Sequence, residues 1–221
     1  MKNNTKEPVS IQPLVDVVKA LRAPNGCPWD QKQTHESLRR YFIEETYEVV
    51  DAIDNKDMPN LREELGDVLL QVVFHSQLAE EAGHFTFQDV INDVTEKMIR
   101  RHPHVFNPEN DEKSYSWDEL KAKEKKNIQK SVLDGVSKGL PALVAAYKLQ
   151  EKAAKLGFDW DELDPVWAKV SEEMGEFKEA IVQNDRENME KEAGDVLFSL
   201  INLLRWYKIS GENALNRTNT K

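Results

Sequence analysis

The segment from Tyr41 to Phe74, YFIEETYEVVDAIDNKDMPNLREELGDVLLQVVF, contains two helical patterns separated by a short turn. In its first half, apolar residues recur every three or four positions and form one broad stripe, with acidic residues opposite. Residues Asn55 to Asn60 include a proline and break this periodicity, which is typical of a turn. In the second half, apolar residues cover most of the helix circumference from Val68 onwards. The segment therefore predicts a helical hairpin whose second helix is deeply packed.

The two acidic motifs of this hairpin recur later in the chain. The motif E-E-x-x-E occurs at residues 44–48 and 172–176, and the motif E-x-G-D occurs at residues 64–67 and 192–195. Both motifs recur at the same offset, because position 44 corresponds to 172 and position 64 to 192. The identical spacing predicts two homologous helical units.

A third match extends the repeat upstream of the hairpin. Trp29 in GCPWD corresponds to Trp160 in GFDWD, at an offset slightly larger than that of the acidic motifs, which implies a three-residue difference between the copies. Between the copies, Gly135, Gly139 and Pro141 interrupt the helical periodicity. The predicted domains are a first module at 1–128, a linker at 129–140 and a second, C-terminally incomplete module at 141–221.

The predicted fold class is all-α, with two tandem homologous helical modules that form four-helix-bundle-like units. No stretch of any length alternates between apolar and polar residues as a strand does. Each module contains only two long, strongly apolar helices, which cannot bury their wide apolar faces alone. We therefore expect a homodimer that completes the bundles.

Composition restricts the partners and the location of the protein. The chain has 30 basic and 40 acidic residues, so its surface should repel nucleic acid polymers. No run approaches 18 uninterrupted apolar residues, which argues against a membrane span. Cys27 is the only cysteine, and the N-terminal MKNNTKEPVS lacks the apolar core of a signal peptide. We expect a cytoplasmic protein.

Helical spacing brings acidic side chains of the first hairpin onto shared faces. Glu44 and Glu48 are four residues apart, Glu45 and Glu48 are three apart, and so are Glu64 and Asp67. An antiparallel pair of helices can bring these faces together. Converging carboxylate oxygens suit Mg²⁺, with Mn²⁺ as a possible substitute.

A solvated acidic surface is the alternative interpretation, because acidic runs on helices are usually exposed. Three features favour a metal site. No lysine or arginine lies between Glu44 and Asp54, so the carboxylates lack an interleaved cation. The segment from Glu64 to Asp67 leads directly into the most apolar helix, where an uncompensated charge is costly. The same arrangement also occurs twice.

With these motifs, the chain resembles the MazG family of all-α nucleotide pyrophosphohydrolases. The resemblance rests on GCPWD (26–30), EETYE (44–48), EELGD (63–67), RRHPHVF (100–106), GFDW (157–160), EEMGE (172–176) and EAGD (192–195). It implies Mg²⁺-dependent hydrolysis of nucleoside triphosphates to nucleoside monophosphate and pyrophosphate by a homodimer of helical bundles. It also implies broad base specificity and a role in clearing the nucleotide pool.

The resemblance further implies roles for the acidic residues. The implied metal ligands are Glu45, Glu48, Glu64 and Asp67 in the first module, and Glu173, Glu176, Glu192 and Asp195 in the second. Glu44 and Glu172 are expected to take part in catalysis, by orienting water or binding a further ion.

A triphosphate also requires cations supplied by the protein. The candidate substrate-binding residues are Trp29, Lys97, Arg100, Arg101, Trp117 and Lys121 in the first module, and Lys169 and Lys221 in the second. Lys169 lies one turn before Glu173, and Lys221 matches Lys97 if one loop is four residues shorter. For Trp29, stacking on a nucleobase and packing in the core are equally consistent with the sequence. Because the other cations of the first module lack counterparts in the second, we expect the first to carry most of the turnover.

Two other interpretations stay open at this point. The chain can be a regulatory or scaffolding helical dimer whose acidic residues bind a structural metal or a basic partner. That interpretation leaves the cations Lys97, Arg100 and Arg101 without a purpose. A carboxylate-bridged redox bundle is disfavoured because neither module pairs its acidic residues with an inward-facing histidine.

Overall fold

The computed structural model describes residues 10–108 and 133–219. Contacts between Cα atoms divide the chain into two compact units, Met1–Leu120 and Lys121–Lys221. Within the described ranges the regular elements are helices, which confirms the predicted all-α class. None of the described helices is long and apolar enough to cross a membrane. The predicted domain limits stay a prediction.

The first unit is organised around the predicted hairpin. Its described residues form α1 (Gln12–Arg22), α2 (Pro28–Gln31), α3 (His35–Asp54), α4 (Met58–Glu81), α5 (Phe87–Arg100) and α6 (Pro103–Phe106). Helices α3 and α4 make the most extensive contact in the unit, and α1 and α5 each pack against α4. The core consists of Val18, Leu38, Val73 and Phe74, so α1, α3 and α4 all contribute to it.

The second unit repeats the hairpin. Its described residues form α7 (Ala142–Ala154), α8 (Leu163–Gln183), α9 (Arg186–Trp206) and α10 (Gly211–Asn219). Helices α8 and α9 make the most extensive contact, α7 packs against α9, and α10 packs against α7. The starts of α8 and α9 follow those of α3 and α4 at the offset of the acidic motifs, as the sequence repeat predicts.

The same local signals start the second helix of each hairpin. Asp57 is the N-cap of α4 and accepts a hydrogen bond from the backbone N–H of Asn60 at 3.1 Å. Asp185 is the N-cap of α9 and accepts from the backbone N–H of Asn188, also at 3.1 Å. An aspartate at this position satisfies one of the free N–H groups of the first turn. The duplicated cap therefore sets the same hairpin register in both units.

Candidate active site

The hairpin of the first unit brings three predicted ligands together. One carboxylate oxygen from each of Glu45, Glu48 and Glu64 lies within 4.8 Å of the other two. Burial, a hydrogen bond with Glu48 and repulsion from nearby carboxylates raise the pKa of Glu45 to about 7. Desolvation and the neighbouring charge of Glu48 also raise the pKa of Glu64. Ionisation of all three carboxyl groups at once is therefore unfavourable.

The hairpin of the second unit forms the equivalent cluster from Glu173, Glu176 and Glu192, again with oxygens within 4.8 Å of one another. It is more enclosed, because Glu173 is 7% exposed and Glu192 is 5% exposed. It also has its own cations. Lys169 Nζ lies 2.7 Å from Glu173 Oε1, and Lys191 Nζ lies 3.0 Å from Glu192 Oε1.

These two lysines distinguish the clusters. At the matching positions of the repeat, the first unit has Tyr41 and Glu63 in place of Lys169 and Lys191. Lys169 also contacts Glu172 at 2.9 Å. Hydrogen bonds from Lys169 to its carboxylate partners, Glu173 first, hold the pKa of the ammonium group above its ordinary value. The carboxylates of the second unit are therefore partly neutralised by the protein itself.

Both clusters fit a divalent cation. Their donors are carboxylate oxygens on two helices, which is the ligand type that Mg²⁺ and Mn²⁺ prefer. In the second unit, Glu192 Oε2 is buried and has no hydrogen-bond partner within the described part of the chain. A buried carboxylate oxygen without a partner is costly, and a cation would remove that cost.

The four remaining predicted acidic residues lie outside these two groups of three. Asp67 is close enough to Glu45 for its charge to raise the pKa of that residue. Asp195 lines a cavity together with Glu173. Glu44 is exposed, and Glu172 is exposed and paired with Lys169. Asp67, Asp195 and Glu172 therefore lie beside a cluster, whereas Glu44 is exposed near Arg40.

A cavity of about 620 Å³ opens beside the second acidic cluster. One part of its wall carries Lys169, Glu173 and Asp195. The rest is formed by Leu133, α7, α9 and the loop between α7 and α8, and it includes three aromatic side chains, Phe158, Trp160 and Phe198. A cavity with aromatic surface and a few charged groups is typical of a small-molecule site. Its size and lining suit a ligand with one flat ring system and one anionic end.

In the first unit, larger side chains occupy two positions that line the cavity in the second. Phe74 occupies the position of Asn202, and it is only 5% exposed. Arg22 occupies the position of Ala153, and its guanidinium carbon lies 5.4 Å from the centroid of the Phe74 ring. The same guanidinium donates to Glu81 in α4, at 2.6 Å. Packed side chains of the first unit therefore stand at positions that border empty space in the second.

The other predicted substrate-binding residues have mixed outcomes. Lys97 and Arg100 lie in the last turn of α5, and Arg101 is its C-cap. Trp29 is 51% exposed and contacts the edge of Tyr41, with ring centroids 6.1 Å apart. Trp117, Lys121 and Lys221 lie outside the described residues. The roles of these residues stay predictions.

Sequence reasoning missed most of the cavity wall. The omitted residues include Gln150, Phe158, Asp159, Trp160, Phe198, Asn202 and Arg205. A signal was available for Trp160, because it is the repeat partner of Trp29. The substitution of Phe74 by Asn202 between the copies was a second signal, since an amide in a core position of a helix needs an explanation.

The comparison with known proteins identifies the family. The MazG nucleotide pyrophosphohydrolase domain profile matches residues 33–106 and 164–221, which include both hairpins. The chain belongs to the MazG family. This finding confirms the resemblance seen in the motifs.

Two curated MazG relatives match most of the chain. A nucleoside triphosphate pyrophosphohydrolase/pyrophosphatase MazG of Thermotoga maritima is 47% identical over 96% of this chain and 82% of its own length. A nucleoside triphosphate pyrophosphohydrolase of Escherichia coli K12 is 44% identical over 96% of this chain and 83% of its own length. A crystal structure of a mazG-related protein from Thermotoga maritima is 28% identical and covers 53% of this chain and 99% of its own, with a TM-score of 0.41.

Proposed function

We propose that this protein hydrolyses nucleoside triphosphates to nucleoside monophosphate and pyrophosphate, with Mg²⁺ held by carboxylates of the second unit. The observation that carries the proposal is the cavity, in which aromatic surface adjoins Lys169, Glu173 and Asp195. The printed names of the relatives, which describe them as nucleoside triphosphate pyrophosphohydrolases, support the same reaction.

In this proposal the second cluster holds the metal. Glu173, Glu176, Glu192 and Asp195 are its ligands, and Mn²⁺ can replace Mg²⁺. When bound, the cation neutralises charge on the phosphate oxygens and lowers the barrier to attack by water. Glu172 is exposed beside the cluster and can accept a proton from the attacking water.

The remaining groups of the cavity bind and orient the substrate. Lys169 lies at the acidic end, where its ammonium group can turn from Glu172 and Glu173 to the triphosphate oxygens. Phe158 and Trp160 also line the cavity, and a nucleobase can stack on their rings whatever its identity. Stacking of this kind supports the expected broad base specificity.

We further propose that the second unit carries most of the turnover, which reverses the expectation from the sequence. That expectation weighed the cations that follow the first hairpin, including Arg100 and Arg101. The first unit, however, fills the volume of the cavity with Phe74 and Arg22. A metal cluster without space for the base lacks the binding energy that positions a substrate for reaction.

A test of the reaction is incubation of the full chain with ATP, GTP, CTP and UTP, with and without Mg²⁺, and separation of the products by ion-exchange chromatography. We expect nucleoside monophosphate and pyrophosphate in equal amounts, and no turnover in excess EDTA. Nucleoside diphosphate with orthophosphate would contradict the proposed reaction. DNA and RNA polymers should not be cleaved, given the net charge of −10.

The first cluster is proposed to bind Mg²⁺ with release of a proton. Because the pKa of Glu45 is raised to about 7, this carboxyl is about half protonated at pH 7 and must lose its proton to act as a ligand. Mg²⁺ affinity at this cluster should therefore increase as the pH rises from 6 to 8. Calorimetric titration at pH 7 in two buffers of different ionisation enthalpy measures the proton release.

The control for this titration is the same experiment with Glu45→Gln and with Glu173→Gln. Glu45→Gln should abolish the proton release assigned to the first cluster, whereas Glu173→Gln should leave it in place. Proton release that is unchanged by Glu45→Gln would contradict the assignment.

We propose that the protein is a cytoplasmic homodimer, assembled through the apolar faces of its hairpins. In the first unit Ile43, Ile53 and Leu65 are each about half exposed, at 50%, 53% and 52%. In the second unit, Trp167 and Leu197 are also about half exposed, at 50% and 54%. Exposed apolar surface on this scale is typical of an interface.

Light scattering after size-exclusion chromatography should give twice the chain mass of 25.5 kDa. The mass of one chain, unchanged across micromolar concentrations, would contradict the proposal.

A further inference from the structure

A hydrogen-bonded network of three side chains lies in the wall of the cavity. Arg205 donates to Asp159 through both terminal nitrogens, with Nη1 at 3.0 Å from Oδ2 and Nη2 at 2.5 Å from Oδ1. Arg205 also donates to Asn202 Oδ1, from Nε at 3.0 Å and from Nη2 at 2.9 Å. All three residues line the cavity. The side chain of Arg205 is 12% exposed and that of Asp159 is 28% exposed, so the part of the network that joins Arg205 to Asn202 is the more enclosed.

The network determines which end of the Asn202 amide is available to a ligand. Its Oδ1 already accepts two hydrogen bonds from a guanidinium group, and the flipped orientation would place NH₂ against N–H donors. No described residue accepts a hydrogen bond from Nδ2, and this nitrogen is not among the buried polar atoms without a partner. Asn202 therefore presents a hydrogen-bond donor of fixed orientation at the cavity wall.

The first unit shows that this helix position needs no amide for folding. Its counterpart there is Phe74, a core residue beneath Arg22. The counterparts of Arg205 and Asp159 are Gln77 and Pro28, so the whole network is missing from the unit whose cavity is closed. The network is present in the unit that has the cavity and missing from the other unit. This difference indicates that the network contacts a ligand bound in the cavity.

We propose that Asn202 is a specificity-determining residue, which donates from Nδ2 to an exocyclic carbonyl oxygen of the bound nucleobase. The inference rests on the proposed function, because it takes the cavity as the nucleotide site. A base that stacks on Phe158 or Trp160 directs its edge, rather than its face, at the polar part of the wall. A carbonyl oxygen there accepts the hydrogen bond, whereas an exocyclic amino group places a donor against a donor. Arg205 and Asp159 are positioning residues that hold the amide in this orientation.

The test compares nucleotides that share a ring system and differ at this edge: ITP against ATP, and UTP against CTP. For the wild type we expect kcat/KM to favour ITP and UTP by about 10-fold, the effect of leaving one enclosed donor without a partner. Asn202→Asp should reverse both preferences, because a carboxylate accepts from an amino group and repels a carbonyl oxygen. Asn202→Ala should bring both ratios close to one.

Two further variants separate specificity from structure. Asn213→Asp makes the same chemical change at an exposed site in α10, away from the cavity, and should leave both ratios unchanged. Arg205→Lys keeps the charge opposite Asp159 but releases the amide, so both ratios should fall to within about threefold of one. Each ratio is measured on a single preparation, so a partly unfolded sample does not alter it.

The outcomes distinguish this inference from the proposed function. If the protein hydrolyses the nucleotides but Asn202→Asp changes both ratios by less than twofold, the role of Asn202 is overturned and the proposed function is not. The absence of hydrolysis with all four nucleotides overturns both proposals. Reversal of the ratios by Asn202→Asp, with no change in Asn213→Asp, supports both.

Discussion

Asp195→Asn is expected to lower kcat/KM for nucleoside triphosphate hydrolysis by at least about 100-fold, while Asp67→Asn retains most of the activity. The two substitutions are chemically identical and lie at equivalent positions of the two hairpins. Asp195 shares the cavity wall with Glu173. Asp67 belongs to the unit in which the buried Phe74 takes the position of the cavity-lining Asn202. Removal of one group that stabilises a transition-state charge typically costs about 10²–10³ in rate.

Each variant is the control for the other. The same substitution at equivalent positions should affect folding to a similar extent, so a difference in activity between the two variants reflects catalysis. Asparagine keeps nearly the volume of aspartate and removes its charge, so thermal unfolding curves without metal should change little for either protein. In Mg²⁺, both variants should lose part of the stabilisation that the wild type gains, since each weakens one proposed metal site. Abolished hydrolysis in Asp67→Asn, with near-normal hydrolysis in Asp195→Asn, would assign the reaction to the first unit instead.

Much of the fold and part of the site were predictable because they depend on local spacing. Glu45 and Glu48 are three residues apart, so any helix places them on one face. The turn that returns Glu64 to that face spans residues 55–57 and is shorter than the predicted 55–60, because Asp57 caps α4 and the helix begins at Met58. The equivalent spacing produces the second cluster. The helix starts were equally local, since an aspartate N-cap precedes both α4 and α9. These features require no knowledge of how distant helices pack.

The cavity was not predictable in this way, because empty space depends on the relative sizes of side chains from several helices. Ala153 in α7 and Asn202 in α9 leave the volume open, whereas Arg22 and Phe74 fill it at the matched positions. Neither alanine nor asparagine is unusual in a helical sequence by itself. Only a position-by-position comparison of the two copies, combined with the packing of α7 on α9, distinguishes the open unit from the closed one.

Lys169 illustrates a residue whose position was predictable but whose contacts were not. Its place one turn before Glu173 suggested a phosphate ligand. In the structure its ammonium group contacts Glu172 and Glu173 instead, at 2.9 Å and 2.7 Å. Both observations agree if the lysine occupies the cluster until the metal and the triphosphate bind. The sequence shows which residues are near one another, whereas which of them are paired depends on what else is bound.

This exchange predicts that Lys169→Met changes metal affinity and substrate affinity in opposite directions. In the proposed site, Lys169 and a divalent cation compete for the carboxylate of Glu173, so the variant should bind Mg²⁺ about 10-fold more tightly in the absence of nucleotide. The variant also lacks the cation that contacts the triphosphate, so its KM for ATP at saturating Mg²⁺ should rise by about 10-fold or more. The increase in melting temperature with Mg²⁺ concentration measures the first effect, and steady-state kinetics measure the second.

Lys178→Met is the matched control, because Lys178 is exposed on the same helix and lies outside the wall of the 620 Å³ cavity. It removes one positive charge from the second unit and so corrects for the change in net charge. It should alter both quantities by less than about twofold, as expected for a screened surface charge. Weaker Mg²⁺ binding in Lys169→Met would contradict competition for Glu173. An unchanged KM would remove Lys169 from the substrate site, since a lysine that only neutralises the empty cluster has no effect once the metal is bound.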